Sequence, residues 1–180
     1  TNTVISTENK VIGLAKNSFG VHENPVSGAT EPFDAEIIES LVKSEKIERV
    51  TGKVTIDDAD IVVSAGRGLK GPENWEMIEE LADTLGAATA CSKPVSDLGW
   101  RPHSEHVGQT GKPVASNLYI AIGISGAIQH LAGINASKVK VVINTDPEAP
   151  FFKAADYGIV GDAFDIVPKL IEKIKLFKAS

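Results

Sequence analysis

The segment AIGISGAIQH, residues 121–130, places a serine between two glycines and a histidine five positions after it. A serine and a histidine in one segment raise the possibility of nucleophilic catalysis. A nucleophile elbow, however, needs the order Gly-x-Ser-x-Gly, and here Gly126 follows Ser125 directly. Five positions along a helix also turn two side chains about 140° apart. The segment therefore does not predict a hydrolase built from Ser125 and His130.

The same segment suits the start of a helix that binds an anion. Ser125 is expected at the N-cap, where its hydroxyl accepts hydrogen bonds from the N–H groups of the first turn. Gly123 and Gly126 would let a ligand approach the backbone closely. The helix dipole and exposed N–H groups then favour a phosphate. The alternative is an ordinary helix N-cap whose neighbouring glycines bind no ligand. These residues alone leave both interpretations open.

A second glycine-rich segment, residues 64–75, reads SAGRGLKGPENW and contains a Gly-x-Gly-x-x-Gly pattern. It follows a predicted strand and precedes a predicted helix, as in dinucleotide-binding loops. Arg67 either binds a phosphate bidentately or is a solvated loop charge. Pro72 follows the last glycine, and the next strand ends at Ser92 and Lys93 without an acid for a ribose hydroxyl. Phosphate binding is therefore favoured over classical NAD binding.

A third segment, HVGQTGK at residues 106–112, lies between elements and is rich in hydrogen-bond donors. Gln109 and Thr110 stand between two glycines, which fits a loop wrapped against a ligand as well as a plain surface turn. The histidines show no metal-ligand spacing with Cys91, so no zinc site is predicted.

The elements that must position these segments alternate between strand and helix. Strands are predicted within 60–66, 87–91, 117–123, 138–144 and 156–161, and helices at 73–85, 125–133 and 163–178, with Pro168 expected to displace the start of the last helix. Such alternation predicts an α/β fold, a doubly wound and mostly parallel Rossmann-like sheet with helices on both faces. Ligands collect at the carboxyl ends of such strands, here the loops 66–72, 92–99, 123–126, 144–151 and 161–163.

The first 58 residues are patterned less clearly. We predict a strand within 10–20, a loop at 24–32, a helix at 33–43 and an edge strand within 46–56.

Composition excludes several classes of function. The chain has 180 residues and a net charge of −6, without the basic stripe that nucleic-acid binding requires. No apolar run reaches membrane-spanning length, so no membrane insertion is predicted. Its one cysteine cannot form an internal disulfide, which favours a reducing compartment.

Five motifs together resemble the FAD-binding domain of the electron transfer flavoprotein alpha subunit family. They are VVSAGRGLKGPENW, VGQTGK, LYIAIGISGAIQHLAG, INTDPEAPFFKAADYGIVGDAF and VPKL, in the family's order between about residues 59 and 171. The resemblance implies FAD bound across the carboxyl edge of a sheet of the deoxyhypusine synthase-like type, also found in thiamine-dependent oxidases. It also implies that residues 1–58 are a variable lead-in, part of the same domain, and that residues 59–180 are the FAD-binding domain.

The resemblance assigns cofactor contacts position by position. Arg67 corresponds to the arginine of the glycine loop, and Ser92 and its neighbour Lys93 would border the isoalloxazine ring. The family usually has arginine at the latter position, and lysine lacks the planar fork of arginine. The full set implied is Arg67, Ser92, Lys93, Val107, Gly108, Gln109, Thr110, Ser125, Gly126, Ala127, Ile128, Gln129, His130, Asn144 and Asp162.

Three other parts of the cofactor have implied partners. The Thr110 hydroxyl would lie near the flavin N5, and His130 would reach the carbonyl at C2. The segment 125–130 would hold the pyrophosphate and ribityl groups, and Asn144 and Asp162 would meet the adenosine half.

The function implied is electron transport by a flavoprotein. FAD would carry electrons from acyl-CoA or related dehydrogenases, as in fatty acid oxidation, to a quinone reductase or another acceptor. The partner would be a beta subunit in a heterodimer, in the cytoplasm of a bacterium or archaeon or in the mitochondrial matrix. The chain is too short to be a whole alpha subunit and is expected to be a fragment. A component of an electron-bifurcating complex and a non-redox nucleotide-binding module are the alternatives.

Overall fold

The computed structural model describes residues 3–14, 22–35, 42, 44–45 and 54–179. Within these residues every helix and strand lies after residue 60. The loop predicted at 24–32 is confirmed, and residues 10–14 form no strand. Residues 15–20 of that predicted strand, most of the predicted helix at 33–43 and residues 46–53 of the predicted edge strand lie outside the described residues.

Five parallel strands form one sheet in the order β2-β1-β3-β4-β5. The strands are β1 (Ile61–Ala65), β2 (Ala88–Cys91), β3 (Leu118–Ile122), β4 (Val139–Asn144) and β5 (Tyr157–Val160). β1 and β3 lie inside the sheet and read as continuous apolar runs, because strands covered on both faces bury every side chain. The predicted doubly wound sheet is confirmed.

The helices cover both faces of this sheet. They are α1 (Glu76–Leu85), α2 (Lys93–Asp97), α3 (Ile128–Ile134) and α4 (Ala163–Ala179). α1 and α4 pack together on one face, over a core that includes Ile78, Leu81 and Val167. On the other face α3 contributes Ile134 to a second core, which also buries Tyr119 and Phe151.

Predictions about the starts of α1 and α4 differ from the structure. α1 begins at Glu76 rather than residue 73, because Pro72–Asn74 forms a separate 3-10 turn. Pro168 lies inside α4 and does not displace its start. Asp162 holds that start in place, since its carboxylate accepts a hydrogen bond from the Phe164 N–H at 3.0 Å. Among the described residues, no helix is both long and apolar enough to cross a membrane.

Arg101 anchors the segment that leads into the loop at 106–112. Its guanidinium donates to Glu105 at 2.7 and 2.8 Å and to Glu79 on α1 at 2.9 Å. The Arg101 and Glu105 side chains are only 18% and 17% exposed, so these charges are largely withdrawn from water. Hydrogen bonding to Glu105 accordingly raises the pKa of Arg101.

Replacement of Arg101 by methionine is expected to lower the free energy of unfolding by about 1–3 kcal/mol, because Glu105 would keep a half-buried charge without its partner. Urea denaturation measures this effect. Lys175→Gln is the control, because it breaks an exposed pair with Glu80 and should cost at most about 1 kcal/mol. Equal losses in the two variants would show that Arg101 has no special anchoring role.

Candidate functional site

A cleft of about 650 Å³ lies at the carboxyl ends of the strands. Loops following β1, β2, β3 and β4 reach it, together with the segment 106–110. Arg67, Thr110 and Ser125, which come from three distant parts of the sequence, all line this one cleft. The predicted convergence of these loops at one sheet edge is therefore confirmed.

All but three of the predicted site residues line the cleft. Those that do are Arg67, Ser92, Lys93, Val107, Gly108, Gln109, Thr110, Ser125, Ala127, Gln129, His130 and Asn144. The other three, Gly126, Ile128 and Asp162, lie outside it. Ile128 is 81% exposed, and its predicted ligand contact gains no support from this position.

Asp162 lines a smaller cavity of about 200 Å³ beside the cleft. The two spaces share Gly68, Gly123 and Asn144, so they adjoin along the tips of β1, β3 and β4. Lys70 also lines the smaller cavity, and its ammonium lies 3.6 Å from the Asp162 carboxylate. Asp162 thus stands at one end of an elongated site.

The prediction that Ser125 caps a helix is wrong. α3 begins at Ile128 after Ala127, and no side chain caps it. The Ser125 carbonyl instead accepts a hydrogen bond from the Phe151 N–H at 3.0 Å. Gly126, at a φ of +85°, turns the chain between this contact and the helix. Ser125 therefore belongs to a loop fastened to the segment after β4, and its exposed side chain borders the cleft.

His130 forms a buried part of the cleft wall. It is 6% exposed, and its Nε2 lies 2.9 Å from the Tyr119 hydroxyl. Its Nδ1 is buried without a hydrogen-bond partner among the described residues. Burial, with a smaller contribution from His106, lowers the pKa of His130 to about 4, and the Val107 backbone partly opposes this shift. His130 is therefore neutral at physiological pH, and its Nδ1 has no hydrogen-bond partner among the described residues.

The loop 107–111 is fastened against the first turns of α3. The Gln109 N–H donates to the Gln129 carbonyl at 2.8 Å, and the Val107 N–H donates to the Cys91 carbonyl at 3.0 Å. This anchoring leaves the side chains of Gln109 and Thr110 exposed at the rim of the cleft. The loop can therefore present polar groups to a ligand without rearranging.

Charges of both signs line the cleft. Arg67 and Lys93 supply positive charge, and Asp97 and Asp146 supply negative charge. Lys93 donates to Asp97 at 3.0 Å, four residues later on α2, with both side chains more than half exposed. An exposed pair of this kind is worth at most about 1 kcal/mol, so Lys93 can turn toward an anionic ligand at small cost.

Sequence analysis missed some residues of the cleft. One of them is His106, which is 2% exposed and lines the cleft. The sequence analysis considered the side chain of His106 only as a metal ligand. Asp97 was also missed, and its position four residues after Lys93 on a helix was the available signal. Among the described residues, no group of three His, Cys, Asp or Glu side chains is arranged to bind a metal ion.

Comparison with known proteins identifies the family. Residues 55–135 match the family described as electron transfer flavoprotein FAD-binding domain. The chain is 47% identical over 161 residues to the electron transfer flavoprotein subunit alpha of Thermoanaerobacterium thermosaccharolyticum, covering 88% of this chain and 49% of that protein. It is 46% identical over 188 residues to the mitochondrial subunit alpha of Dictyostelium discoideum, covering 98% and 53% respectively.

A relative from Paracoccus denitrificans, also an electron transfer flavoprotein subunit alpha, is 59% identical over 113 residues, which cover 63% of this chain and 37% of that protein. The chain spans about half the length of the first two relatives. The residues matched to the family, 55–135, include the cleft loops after β1, β2 and β3. The chain belongs to the electron transfer flavoprotein alpha subunit family.

Proposed function

We propose that this chain binds FAD in the cleft and carries electrons from flavoprotein dehydrogenases to an acceptor such as a quinone reductase. One observation carries this proposal. The glycine-rich segment around Arg67, the loop 107–111 and the segment 123–130 all line a single cleft. These are the segments through which the chain resembles its family. A cleft of this size is in the range of small-molecule and cofactor sites.

The residues present fit a flavin dinucleotide. The buried floor contains Val107 and Ile124, which suit an aromatic ring system, and His130 offers an unpartnered nitrogen for a ring carbonyl or nitrogen. Arg67 stands exposed where it can bind a phosphate bidentately. Asp162, in the adjoining cavity, would then reach the adenosine half.

When bound, FAD supplies the redox chemistry, and the protein supplies binding, orientation and charge. Neutral His130 can donate from Nδ1 only in the tautomer in which its Nε2 accepts a hydrogen bond from the Tyr119 hydroxyl. Lys93 would add positive charge near the ring. No side chain needs to act as a general acid or base on a metabolite.

The partner proposed is a beta subunit, since the relatives are named as alpha subunits. The cleft is open along the rim formed by Gln109, Thr110 and Gln129, and a partner there would shield the flavin. We also propose acyl-CoA or related dehydrogenases as donors. The proposed location is the cytoplasm of a bacterium or archaeon or the mitochondrial matrix. The relatives include bacterial proteins and one that is named as mitochondrial.

Replacement of Arg67 by glutamine is expected to weaken FAD binding by about 10- to 100-fold, because a charge-assisted bidentate contact is lost. Quenching of flavin fluorescence on titration with the apoprotein measures the dissociation constant. Lys169→Gln is the control, since it removes one positive charge from an exposed position on α4 outside the cleft.

A chain that fails to take up FAD would overturn the proposed function. Equal affinities of the Arg67 and Lys169 variants would overturn the role of Arg67 alone. In the assembled protein, two FAD molecules rather than one FAD and one AMP would indicate a bifurcating component instead of a simple carrier.

A further inference from the structure

His106 is a buried titratable group in the cleft that the proposed function does not use. Its side chain is 2% exposed and lines the cleft next to the loop 107–111. Its Nδ1 is buried and makes no hydrogen bond within the described part of the chain. Buried polar atoms in folded proteins normally have a hydrogen-bond partner, so a buried imidazole nitrogen without one calls for an explanation.

The backbone holds His106 firmly at this place. Its carbonyl accepts the Lys112 N–H at 2.8 Å, and its own N–H donates to the His103 carbonyl at 3.1 Å. The ring lies inside the loop, since a Cβ atom added at Gly111 would lie 2.8 Å from Nδ1 and one added at Gly108 would lie 3.4 Å from Nε2. The imidazole therefore cannot leave the cleft wall unless the loop unfolds.

The exposed ring of His103 lies against the buried ring of His106. The two ring centroids are 5.2 Å apart, with the planes inclined at 54°. His103 is exposed, and its Nδ1 lies 3.5 Å from the Ser96 hydroxyl. Of this pair of histidines, His103 is therefore the one that meets solvent.

The groups around His106 determine its charge. Burial lowers its pKa, His103 and Lys93 lower it further, and Asp97 opposes them. The remaining neighbours contribute little positive or negative charge of their own. His130 is neutral, and burial raises the pKa of the Cys91 thiol to about 12.

Two further charged residues, one next to His106 in the sequence and one hydrogen-bonded to its carbonyl, have side chains that are already paired. Glu105 accepts hydrogen bonds from Arg101, and Lys112 pairs with Asp57. His106 is consequently neutral at physiological pH in the ligand-free protein. Negative charge appearing in the cleft would draw a proton to it, because an adjacent negative charge favours the protonated imidazole.

We propose that His106 takes up a proton from solvent when the flavin in the cleft gains an electron. The inference rests on the proposed function. The electron comes from the donor dehydrogenase and the proton from water, and no covalent bond of the flavin is made or broken. The positive charge gained by His106 offsets the negative charge gained by the flavin.

The test is the reduction potential of the FAD-loaded chain between about pH 5 and pH 8. In this window, the potential of the unaltered chain is expected to rise as the pH falls, approaching about 59 mV per pH unit when one proton accompanies each electron. His106→Gln keeps a polar side chain of similar length that does not titrate, and it should at least halve the slope. His103→Gln should move the window to higher pH, because a neighbour that lowers the pKa of His106 is removed.

His22→Gln is the matched control, because His22 is an exposed histidine of the described amino-terminal residues and does not line the cleft. A slope of the His106 variant equal to that of the unaltered chain would overturn the inference while leaving FAD binding intact. Failure of the unaltered chain to bind FAD would overturn the proposed function and the inference together.

A second measurement does not depend on whether the variant folds. Nitrogen NMR of the unaltered chain reports the protonation of each imidazole before and after reduction of the bound flavin. We expect the His106 signals to change from the neutral to the protonated form on reduction near pH 6.5. His106 signals that remain neutral on reduction would overturn the inference.

Discussion

Replacement of Gly126 by alanine will lower the free energy of unfolding by about 2–5 kcal/mol. Gly126 has a φ of +85°, a conformation that disfavours residues with a Cβ atom. The added methyl would also lie 2.5 Å from the Phe151 nitrogen and 2.6 Å from its Cα. Because these are backbone atoms of a buried residue, they cannot move aside cheaply. The two costs therefore add.

Gly86→Ala is the matched control for this prediction. Gly86 has a similar φ of +70° at the end of α1, and a Cβ atom there would meet nothing within 4 Å. Alanine at this position should therefore cost only the conformational strain, about 1–2 kcal/mol. Urea denaturation of both variants separates strain from crowding. Equal losses would show that the contact with Phe151 relaxes freely.

The same substitution should weaken FAD binding. The Ser125 carbonyl is hydrogen-bonded to Phe151, so displacement of Phe151 would move Ser125 at the edge of the cleft. Flavin titration of the Gly126 variant below its unfolding temperature measures this effect. Full affinity in a folded variant would show that the segment tolerates the shift.

Acidification from pH 6.5 to pH 4 will destabilise the ligand-free chain, and His130 alone will account for about 3 kcal/mol of the loss. The pKa of His130 is about 4 in the folded protein and 6.5 in the unfolded chain. Between these values the unfolded state binds the proton and the folded state does not, so stability falls as the pH falls. Above about pH 7.5 neither state binds the proton, and this contribution no longer varies.

His130→Gln isolates this contribution. Glutamine can still hydrogen-bond the Tyr119 hydroxyl but does not titrate, so the variant should lose less stability over the same pH range than the unaltered chain. Carboxylates titrate equally in both proteins and cancel in the difference. Urea denaturation at a series of pH values provides the measurement, with the exposed His22 replaced by glutamine as the control. Identical pH dependence in the His130 variant and the unaltered chain would contradict a neutral buried imidazole.

Much of the fold follows from local patterns in the sequence. The runs around Val62 and Ile120 contain several β-branched residues and end at glycines, and both form central strands. The positions of Ile78 and Leu81 on one helical stripe predict the buried face of α1. These signals are local because a strand or helix that is buried must be apolar with the period of its own backbone.

The starts of the helices were less predictable. Ser125 has the residue type of a cap, but its carbonyl pairs with Phe151, which lies 26 positions later in the chain. Pro168 normally disrupts a helix, yet α4 runs through it because Val167 and Ile171 are buried against the sheet and Asp162 holds the first turn. In both cases a distant contact outweighed a local preference.

The sequence by itself determined which loops stand at the strand tips, because alternation of strands and helices leaves one edge for the carboxyl ends. It also contained the motifs that relate the chain to its family. Only the tertiary structure decided that His106 and Asp97 join the cleft and that Ile128 lies outside it. The physical reason is that the exposure of a side chain and the charge of an imidazole depend on atoms from other loops, which no pattern along the chain specifies.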